Sequence, residues 1–146
     1  MRHLKLLLLF AVATVVAACE KPVNDLSEPA IEVTTKRLDG AWELSTWNGE
    51  ALAEGTYLYV EFNGKERRFE MWDNLGSMYV QHKSGTFAIS QDSDERYIIN
   101  GQYDYGVGDW NDNYVVHMLA NGEEMEWSSN EEIMLFKKID AIPELN

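Results

Sequence analysis

The stretch YVVHMLANGEEMEWS, residues 114–128, contains two short runs in which apolar and polar residues alternate, joined by Asn121-Gly122. Asn-Gly in such a setting is a strong signal for a β-hairpin, because both central residues of the favoured turn need positive φ. A two-residue turn there would place apolar side chains opposite each other on one face and Glu side chains on the other face. The predicted pairs are Met118–Met125, Val116–Trp127, His117–Glu126 and Leu119–Glu124. This pattern is typical of an antiparallel strand pair with one face buried in a core.

The same dipeptide occurs three times earlier in the chain, at 48–49, 63–64 and 100–101. Two-residue turns at the second and third of these sites would set Leu58 opposite Phe69 and Ile98 opposite Tyr103. Asn-Gly therefore predicts a chain organised as successive hairpins.

Short strand-like runs fill the rest of the chain, and no long apolar period of 3.6 residues interrupts them. The predicted strands are 40–47, 56–62, 65–72, 77–82, 86–90, 96–99, 102–105, 114–120, 123–128 and 132–138. Strands joined in series by turns favour an all-β fold, an antiparallel up-and-down β-barrel of eight to ten strands. The alternative is a β-sandwich, which needs longer crossover connections than this sequence contains.

Successive connections of an up-and-down barrel alternate between its two ends. The longer connections then fall at one end, here called the open end: NGEALAEG, DNLGS, QDSDE, GVGDWNDN and SSNE. The opposite, closed end receives the tight turns, together with Lys65 and Lys83. The open-end loops contain no Lys or Arg, and their carboxylates are Glu50, Glu54, Asp73, Asp92, Asp94, Glu95, Asp109, Asp112 and Glu131. Because binding barrels carry their larger loops around the mouth, we expect the site at the open end.

The beginning of the chain predicts an export signal. Arg2 and Lys5 precede an apolar run, from Leu6 to Ala18, that is too short to span a membrane. The run ends in VVAAC, which resembles the lipobox of bacterial lipoproteins, whose cysteine sulfur receives a diacylglycerol before cleavage. Cys19 is also the one cysteine of the chain. The resemblance implies a lipid anchor at Cys19, and the alternative is a plain secreted protein with a single thiol.

These features divide the chain into a lipoprotein signal peptide (1–18), a lipid-anchored tether (19–35), a barrel domain (36–140) and a C-terminal tail (141–146). Glu20 follows the cysteine in place of the Asp that marks inner-membrane retention in some bacteria. We therefore expect attachment to the outer membrane of a diderm bacterium, on its periplasmic or its external side.

Removal of the signal leaves 128 of the 146 residues, enough for one domain with its own core. It also removes two positive charges, so the formal net charge of −13 becomes −15. A chain this acidic repels phosphate backbones, which argues against nucleic acid as a partner. We expect a monomer.

The segment LDGAWELSTW, residues 38–47, is similar to the Gly-x-Trp opening of lipocalins, with Gly40 and Trp42 in the motif positions. YLYVEFNGKERRFEMW and SGTFAIS continue a pattern like that of the small lipocalin-like domains of bacterial lipoproteins. The resemblance implies a calycin-type barrel in which Trp42 plugs the closed end beneath a basic side chain of the last strand, Lys137 or Lys138. It also implies a small, usually apolar ligand inside the barrel, although some members are enzymes.

Candidate ligand-binding residues gather at the predicted rim of the open end. They are Trp47, Trp72, Trp110, Trp127, Tyr105, Asp109 and Asp112. The tryptophans could stack on a sugar ring or an apolar ligand, or they could be core residues beneath the long loops. The acidic segments DSDE (92–95) and DWND (109–112) offer oxygen ligands for Ca²⁺, but neither matches an EF-hand loop, so solvated turn acids are the better interpretation.

No motif for catalysis or cofactor binding is evident. The sequence contains no Cys-His pair, no His-Glu-x-x-His segment and no glycine-rich phosphate loop, and it predicts neither a metal site nor a cofactor. His82 and His117 are the histidines left after the signal, and His117 is expected to pair structurally with Glu126.

Three functions remain open. The favoured one is a lipid-anchored, lipocalin-like protein that binds a small neutral or cationic molecule at its open end. The alternative is a non-enzymatic envelope module whose acidic, Trp-containing rim contacts a protein or a glycan. An enzyme is the weakest candidate, because a fold alone implies no chemistry. A barrel cavity of about 300 Å³ or more would favour the first.

Overall fold

A computed structural model describes residues 31–105, 110, 113–119 and 122–145 of the protein. Within these residues the chain forms one short helix, α1 (Thr35–Leu38), and a series of antiparallel strands. The strands are β1 (Gly40–Trp47), β2 (Glu50–Ala51), β3 (Leu58–Asn63), β4 (Arg68–Asp73), β5 (Gln81–Gln91), β6 (Tyr97–Tyr103), β7 (Tyr114–Leu119), β8 (Glu124–Ser128) and β9 (Ile133–Ile139).

From β3 onward each strand pairs with the next along the chain, and β1 pairs with both β3 and β9. The pairing of β1 with β9 closes an eight-stranded barrel, and the two-residue strand β2 pairs antiparallel with the end of β1. The closing register shifts by one residue between Leu44 and Thr46, as in a β-bulge. The predicted up-and-down barrel is confirmed, and closure excludes the sandwich.

The core lies inside the barrel and follows from the period-2 alternation of the strands. In β3, for example, Leu58, Val60 and Phe62 are buried while Glu61 between them is exposed. A cluster of large rings occupies the interior, with Phe62 next to Phe87 and Trp127 next to Phe136. Burial of each such side chain contributes about 1.5–3 kcal/mol to the stability of the fold. The alternation therefore supplies the barrel with an apolar core.

Trp42 plugs the closed end of the barrel and is fully buried. Its indole Nε1 donates a hydrogen bond to the backbone carbonyl of Leu38 at 2.8 Å, which ties the end of α1 to the barrel floor. The Lys138 Nζ lies 5.3 Å from the centroid of the Trp42 ring. The expected basic side chain over the motif tryptophan is therefore present, supplied by Lys138.

The hairpin at 121–122 has the predicted register. All four predicted pairs are observed between β7 and β8, including Met118 opposite Met125 and His117 opposite Glu126. Gly122 has a φ of 92°, which the turn chemistry requires.

The register predicted for the turn at 63–64 is wrong, because Phe62 and not Leu58 lies opposite Phe69. The connection runs from 64 to 67, and Arg67 takes the left-handed conformation at φ 56°. Glycine is required at position 64 by a close contact and not by turn geometry, since a Cβ there would lie 2.1 Å from the backbone oxygen of Thr35. The Gly64 N–H donates to the Asp39 carboxylate at 2.7 Å, so α1 packs directly on this connection.

The predicted turns at 83–85 and 100–101 are also wrong, because each lies inside one continuous strand, β5 and β6 respectively. At both places glycine admits a close neighbour. A Cβ on Gly85 would lie 2.0 Å from the carbonyl oxygen of Gln102, and one on Gly101 would lie 2.1 Å from the Trp110 ring.

The predicted strands 77–82 and 86–90 are one strand, β5, and 96–99 and 102–105 are one strand, β6, so some residues lie at the other end of the barrel from the one predicted. Of the described residues, 48–57, 74–80, 104–105, 110, 113 and 129–132 lie at the open end, and 64–67, 92–96 and 122–123 lie at the closed end. The acidic segment 92–95 is therefore at the closed end, contrary to prediction. Lys83, predicted at the closed end, lies in the first part of β5, at the open end.

The segment 31–35, predicted as part of the tether, contacts the barrel. Ile31 forms a β-bridge with Met118, Val33 is 3% exposed, and the Thr34 side chain caps α1 by accepting from the Arg37 N–H. In the tail, Ile142 and Leu145 line a shallow groove with Trp72 on the outside of the barrel. Residues 1–30, with the signal peptide and Cys19, lie outside the described residues.

Candidate functional site

A cavity of about 340 Å³ opens at the open end of the barrel. Its walls are built from inward-facing residues of the strands, together with Leu75, Trp110 and Glu132 from the connections between them. The apolar and indole side chains are Trp47, Leu58, Met71, Leu75, Trp110, Trp127, Met134 and Phe136, and the polar ones are Asp73, Lys83, Tyr103, Tyr114 and Glu132. An apolar pocket with a few convergent polar groups is the usual form of a small-molecule site.

The first polar group is an ion pair between neighbouring strands. Asp73, at the end of β4, is 6% exposed, and its Oδ2 accepts a hydrogen bond from Lys83 Nζ at 2.8 Å. Its Oδ1 accepts from the Leu75 N–H at 3.3 Å. A buried carboxylate needs such partners to offset its lost hydration, so the charge of Asp73 is already compensated within the protein.

The second polar group joins β7 to the connection before β9. The Tyr114 hydroxyl donates a hydrogen bond to Glu132 Oε1, and the Tyr114 ring lies 5.7 Å from that of Trp127. No ion pair joins Glu132 to any other residue that the structure describes. The three charged groups of the lining therefore sum to one negative charge.

Tyr103 adds a phenol to the same lining. Burial raises the pKa of Tyr103, and the nearby Lys83 charge opposes that rise. A phenol with a raised pKa stays protonated at neutral pH and can donate a hydrogen bond to a ligand.

Trp110 forms part of the wall and is 8% exposed. Its ring packs against Phe69 and Trp127, with centroid distances of 5.0 and 5.1 Å. Its indole Nε1 is buried and has no hydrogen-bond partner among the described residues. A buried N–H without a partner loses free energy that an acceptor on a ligand would restore.

The structure brings together some of the predicted rim residues and separates others. Trp47, Trp110 and Trp127 line the cavity. Trp72 lies on the outer face of β4, stacked on His82 with ring centroids 5.0 Å apart, and it does not line the cavity. Tyr105 is 85% exposed, outside the lining. Asp109 and Asp112 lie outside the described residues. Ligand binding by this set stays a prediction.

In the acidic segment 92–95, the Asp92 carboxylate accepts hydrogen bonds from its own loop. Asp92 accepts hydrogen bonds from the backbone N–H groups of Asp94 and Arg96, and Arg96 Nε donates to it at 2.7 Å. The hydrogen bond from the Arg96 side chain lowers the pKa of Asp92. Among the described residues, no group of three or more His, Cys, Asp or Glu side chains could hold a metal ion.

Sequence reasoning missed four of the polar cavity residues as candidate site residues: Lys83, Tyr103, Tyr114 and Glu132. A period-2 signal was available for two of them. Glu132 precedes the buried Met134 and Phe136 by two and four positions, and Lys83 precedes the buried Phe87 by four. Each polar residue thus continues an inward-facing row, which becomes visible once the strands are known to be continuous.

The fold of the barrel resembles that of a solved structure. A lipocalin-like protein from Bacteroides uniformis ATCC 8492, with a crystal structure at 1.79 Å resolution, matches the barrel with a TM-score of 0.51. The two chains are 13% identical, and the match covers 70% of this chain and 99% of that chain. The fold is lipocalin-like. No family model matches the chain, and no curated protein matches it.

A lipocalin-like barrel with an open cavity suits the binding of a small molecule in general. The lining supplies aromatic contact area, two donors and one uncompensated carboxylate, from the strands and from the connections between them. No helix of the described residues is long and apolar enough to cross a membrane.

Proposed function

We propose that this protein is a lipid-anchored lipoprotein of the outer membrane whose lipocalin-like barrel binds a small neutral or cationic molecule. The cavity of about 340 Å³ carries the proposal. It exceeds the roughly 300 Å³ at which ligand pockets begin, and it is lined by indole rings as well as polar groups.

The charge of the site supports the neutral or cationic class of ligand. Asp73 and Lys83 neutralise each other at 2.8 Å, which leaves Glu132 to set the sign of the cavity. The whole chain is acidic as well, with a formal net charge of −13. An anionic ligand such as a fatty acid would be repelled by the net charge of the chain as it approaches and by Glu132 inside the cavity, most strongly at low ionic strength.

The anchoring part of the proposal rests on the sequence. The apolar run ending in VVAAC supports export and lipidation at Cys19, and Glu20 supports passage to the outer membrane. Residues 20–30 would then separate the lipid from the first strand contacts, which begin at Ile31. The barrel would work near the membrane surface without entering it.

A neutral fluorescent probe, N-phenyl-1-naphthylamine, tests the binding function. We expect the probe to bind the soluble chain from residue 20 onward with energy transfer from the cavity tryptophans. Trp110→Ala should weaken binding about 3- to 10-fold, because an aromatic contact is worth about 0.5–1.5 kcal/mol beyond its buried area. Trp72→Ala is the matched control, since Trp72 lies on the outer face, and it should leave the affinity unchanged.

Absence of probe binding, or equal losses from the two tryptophan variants, would contradict the proposed cavity. A non-enzymatic module that grips a protein or glycan through its rim would then be the better proposal. That second candidate is supported by large side chains exposed at the open end, with Met78 92%, Tyr105 85% and Tyr79 75% accessible.

A further inference from the structure

Building on the proposed binding function, we propose that the ligand carries an organic ammonium group and that Glu132 is the residue that binds it. Glu132 would set the charge of the preferred ligand, whereas the proposed function requires only that the cavity binds a small molecule, so experiment can reject either one without the other.

Glu132 differs from the other cavity carboxylate in its partners. Asp73 is paired with Lys83 and also accepts from a backbone N–H. Glu132 accepts from the neutral Tyr114 hydroxyl, and no cation among the described residues pairs with it. A hydrogen bond from a phenol orients the carboxylate but does not cancel its charge, so Glu132 retains a full negative charge facing the cavity lining.

The surroundings of Glu132 favour an organic cation over a hydrated metal ion. The Tyr114 ring lies 5.7 Å from the Trp127 ring, which lies 5.1 Å from the Trp110 ring. Trp47 contributes another indole to the lining. Aromatic faces attract ammonium groups and tolerate their attached carbon atoms, whereas a hard metal ion needs several oxygen ligands.

The remaining walls fit an apolar body attached to the ammonium. Met134 and Phe136, on β9, lie two and four positions after Glu132, and Leu58 of β3 and Met71 of β4 line the same cavity. A carboxylate ligand would have to displace Asp73 from Lys83 while lying in the same cavity as Glu132. The lining therefore selects against anionic amphiphiles in two ways.

Three probes of one chain length separate the head groups: octylammonium, 1-octanol and octanoate, each titrated by tryptophan fluorescence and by calorimetry. We expect octylammonium to bind about 10- to 100-fold more tightly than 1-octanol, because a hydrogen bond to a charged group contributes that much affinity. Octanoate should bind more weakly than 1-octanol.

Two neighbouring variants decide whether Glu132 is responsible. Glu132→Gln removes the charge and retains an acceptor for the Tyr114 hydroxyl, so it should reduce octylammonium affinity about 10-fold and 1-octanol affinity far less. Glu131→Gln makes the same change of charge at the adjacent, exposed position and should alter both affinities less than about twofold. Urea denaturation of Glu132→Gln, with a midpoint like that of the wild type, shows that its barrel is intact.

Equal losses from the two variants would overturn the inference, since the long-range field would then explain the preference. Equal affinity of the wild type for octylammonium and 1-octanol would also overturn it, while leaving the proposed binding function in place. Binding of none of the three probes would count against the proposed function itself.

Discussion

Trp110 lies directly on Gly101, and a Cβ at Gly101 would be 2.1 Å from Cε2 of the indole. The backbone N–H of Trp110 donates to the Gly101 carbonyl at 2.9 Å, which holds the two residues together at a second point. The Trp110 indole, part of the cavity wall, therefore occupies the space that a side chain at position 101 would need.

Gly101→Ala should displace the Trp110 ring, because a methyl group cannot fit at that distance. Overpacking of this kind costs about 1–3 kcal/mol in the free energy of unfolding, measured by urea denaturation. Gly76→Ala is the control, since nothing lies within 4 Å of a Cβ built there. Equal stability of the two variants would mean that the ring does not rest on Gly101.

Lys138→Met should weaken the closed end, because it removes the cation 5.3 Å from the buried Trp42 ring and keeps an apolar stem. We expect a loss of about 0.5–2 kcal/mol in unfolding free energy. Lys137→Met removes the same charge from the adjacent position, where the lysine makes a 3.8 Å pair with Glu124. That control should cost less than about 0.5 kcal/mol, and a larger loss from it would contradict the assignment of Lys138.

Asp104 should contribute stability that depends on pH. Hydrogen bonds from the side chains of Arg68 and Ser84 lower the pKa of Asp104 below its ordinary value of 3.8. A lowered folded-state pKa means that the contribution is present above about pH 3.8 and is lost as the pH falls through the folded value.

The difference in unfolding free energy between wild type and Asp104→Asn should therefore shrink when the pH is lowered from 7 to about 2.5. Urea denaturation at several pH values measures it, with Asp140→Asn as a control, because Asp140 is exposed and makes no ion pair with the described residues. A difference that stays constant with pH would show that the carboxylate charge at 104 does not matter.

Cys19→Ser should abolish labelling by a radioactive or alkyne-bearing fatty acid and leave an uncleaved precursor, because oxygen does not replace the lipid-accepting sulfur. Incorporation of the labelled fatty acid in cells measures lipidation, and a blot against an epitope tag on the protein distinguishes the precursor from the cleaved form. Asn24→Ser, in the proposed tether, is the control and should be processed normally. Wild-type processing and release of the Cys19→Ser protein would refute the anchor.

Much of the fold could be predicted from local sequence. The hairpin of β7 and β8 has its predicted register because the alternation of Met118, Val116 and their partners permits no shift by one residue without turning them to solvent. The Gly-x-Trp motif of Gly40 and Trp42 likewise indicated the closed end, where Trp42 is buried.

The candidate site was predicted less well, because its position depends on the number of strands. Asn100-Gly101 resembles a turn locally, yet the glycine lies within β6 to admit Trp110. Adding a turn at that point and another at 83–85 moved Lys83 to the wrong end and hid its contact with Asp73.

Sequence by itself determined which residues alternate, and hence that the chain forms antiparallel strands with an aromatic interior and an acidic surface. Only the tertiary structure decided which glycines are turns and which are contacts, because the absence of a Cβ serves both uses and looks the same along the chain. It also decided that Tyr114 and Glu132, 18 residues apart in sequence, share one wall. They are neighbours because β7 and β9 flank β8 in the curved sheet, so contact between them depends on the pairing of three strands and not on a local pattern.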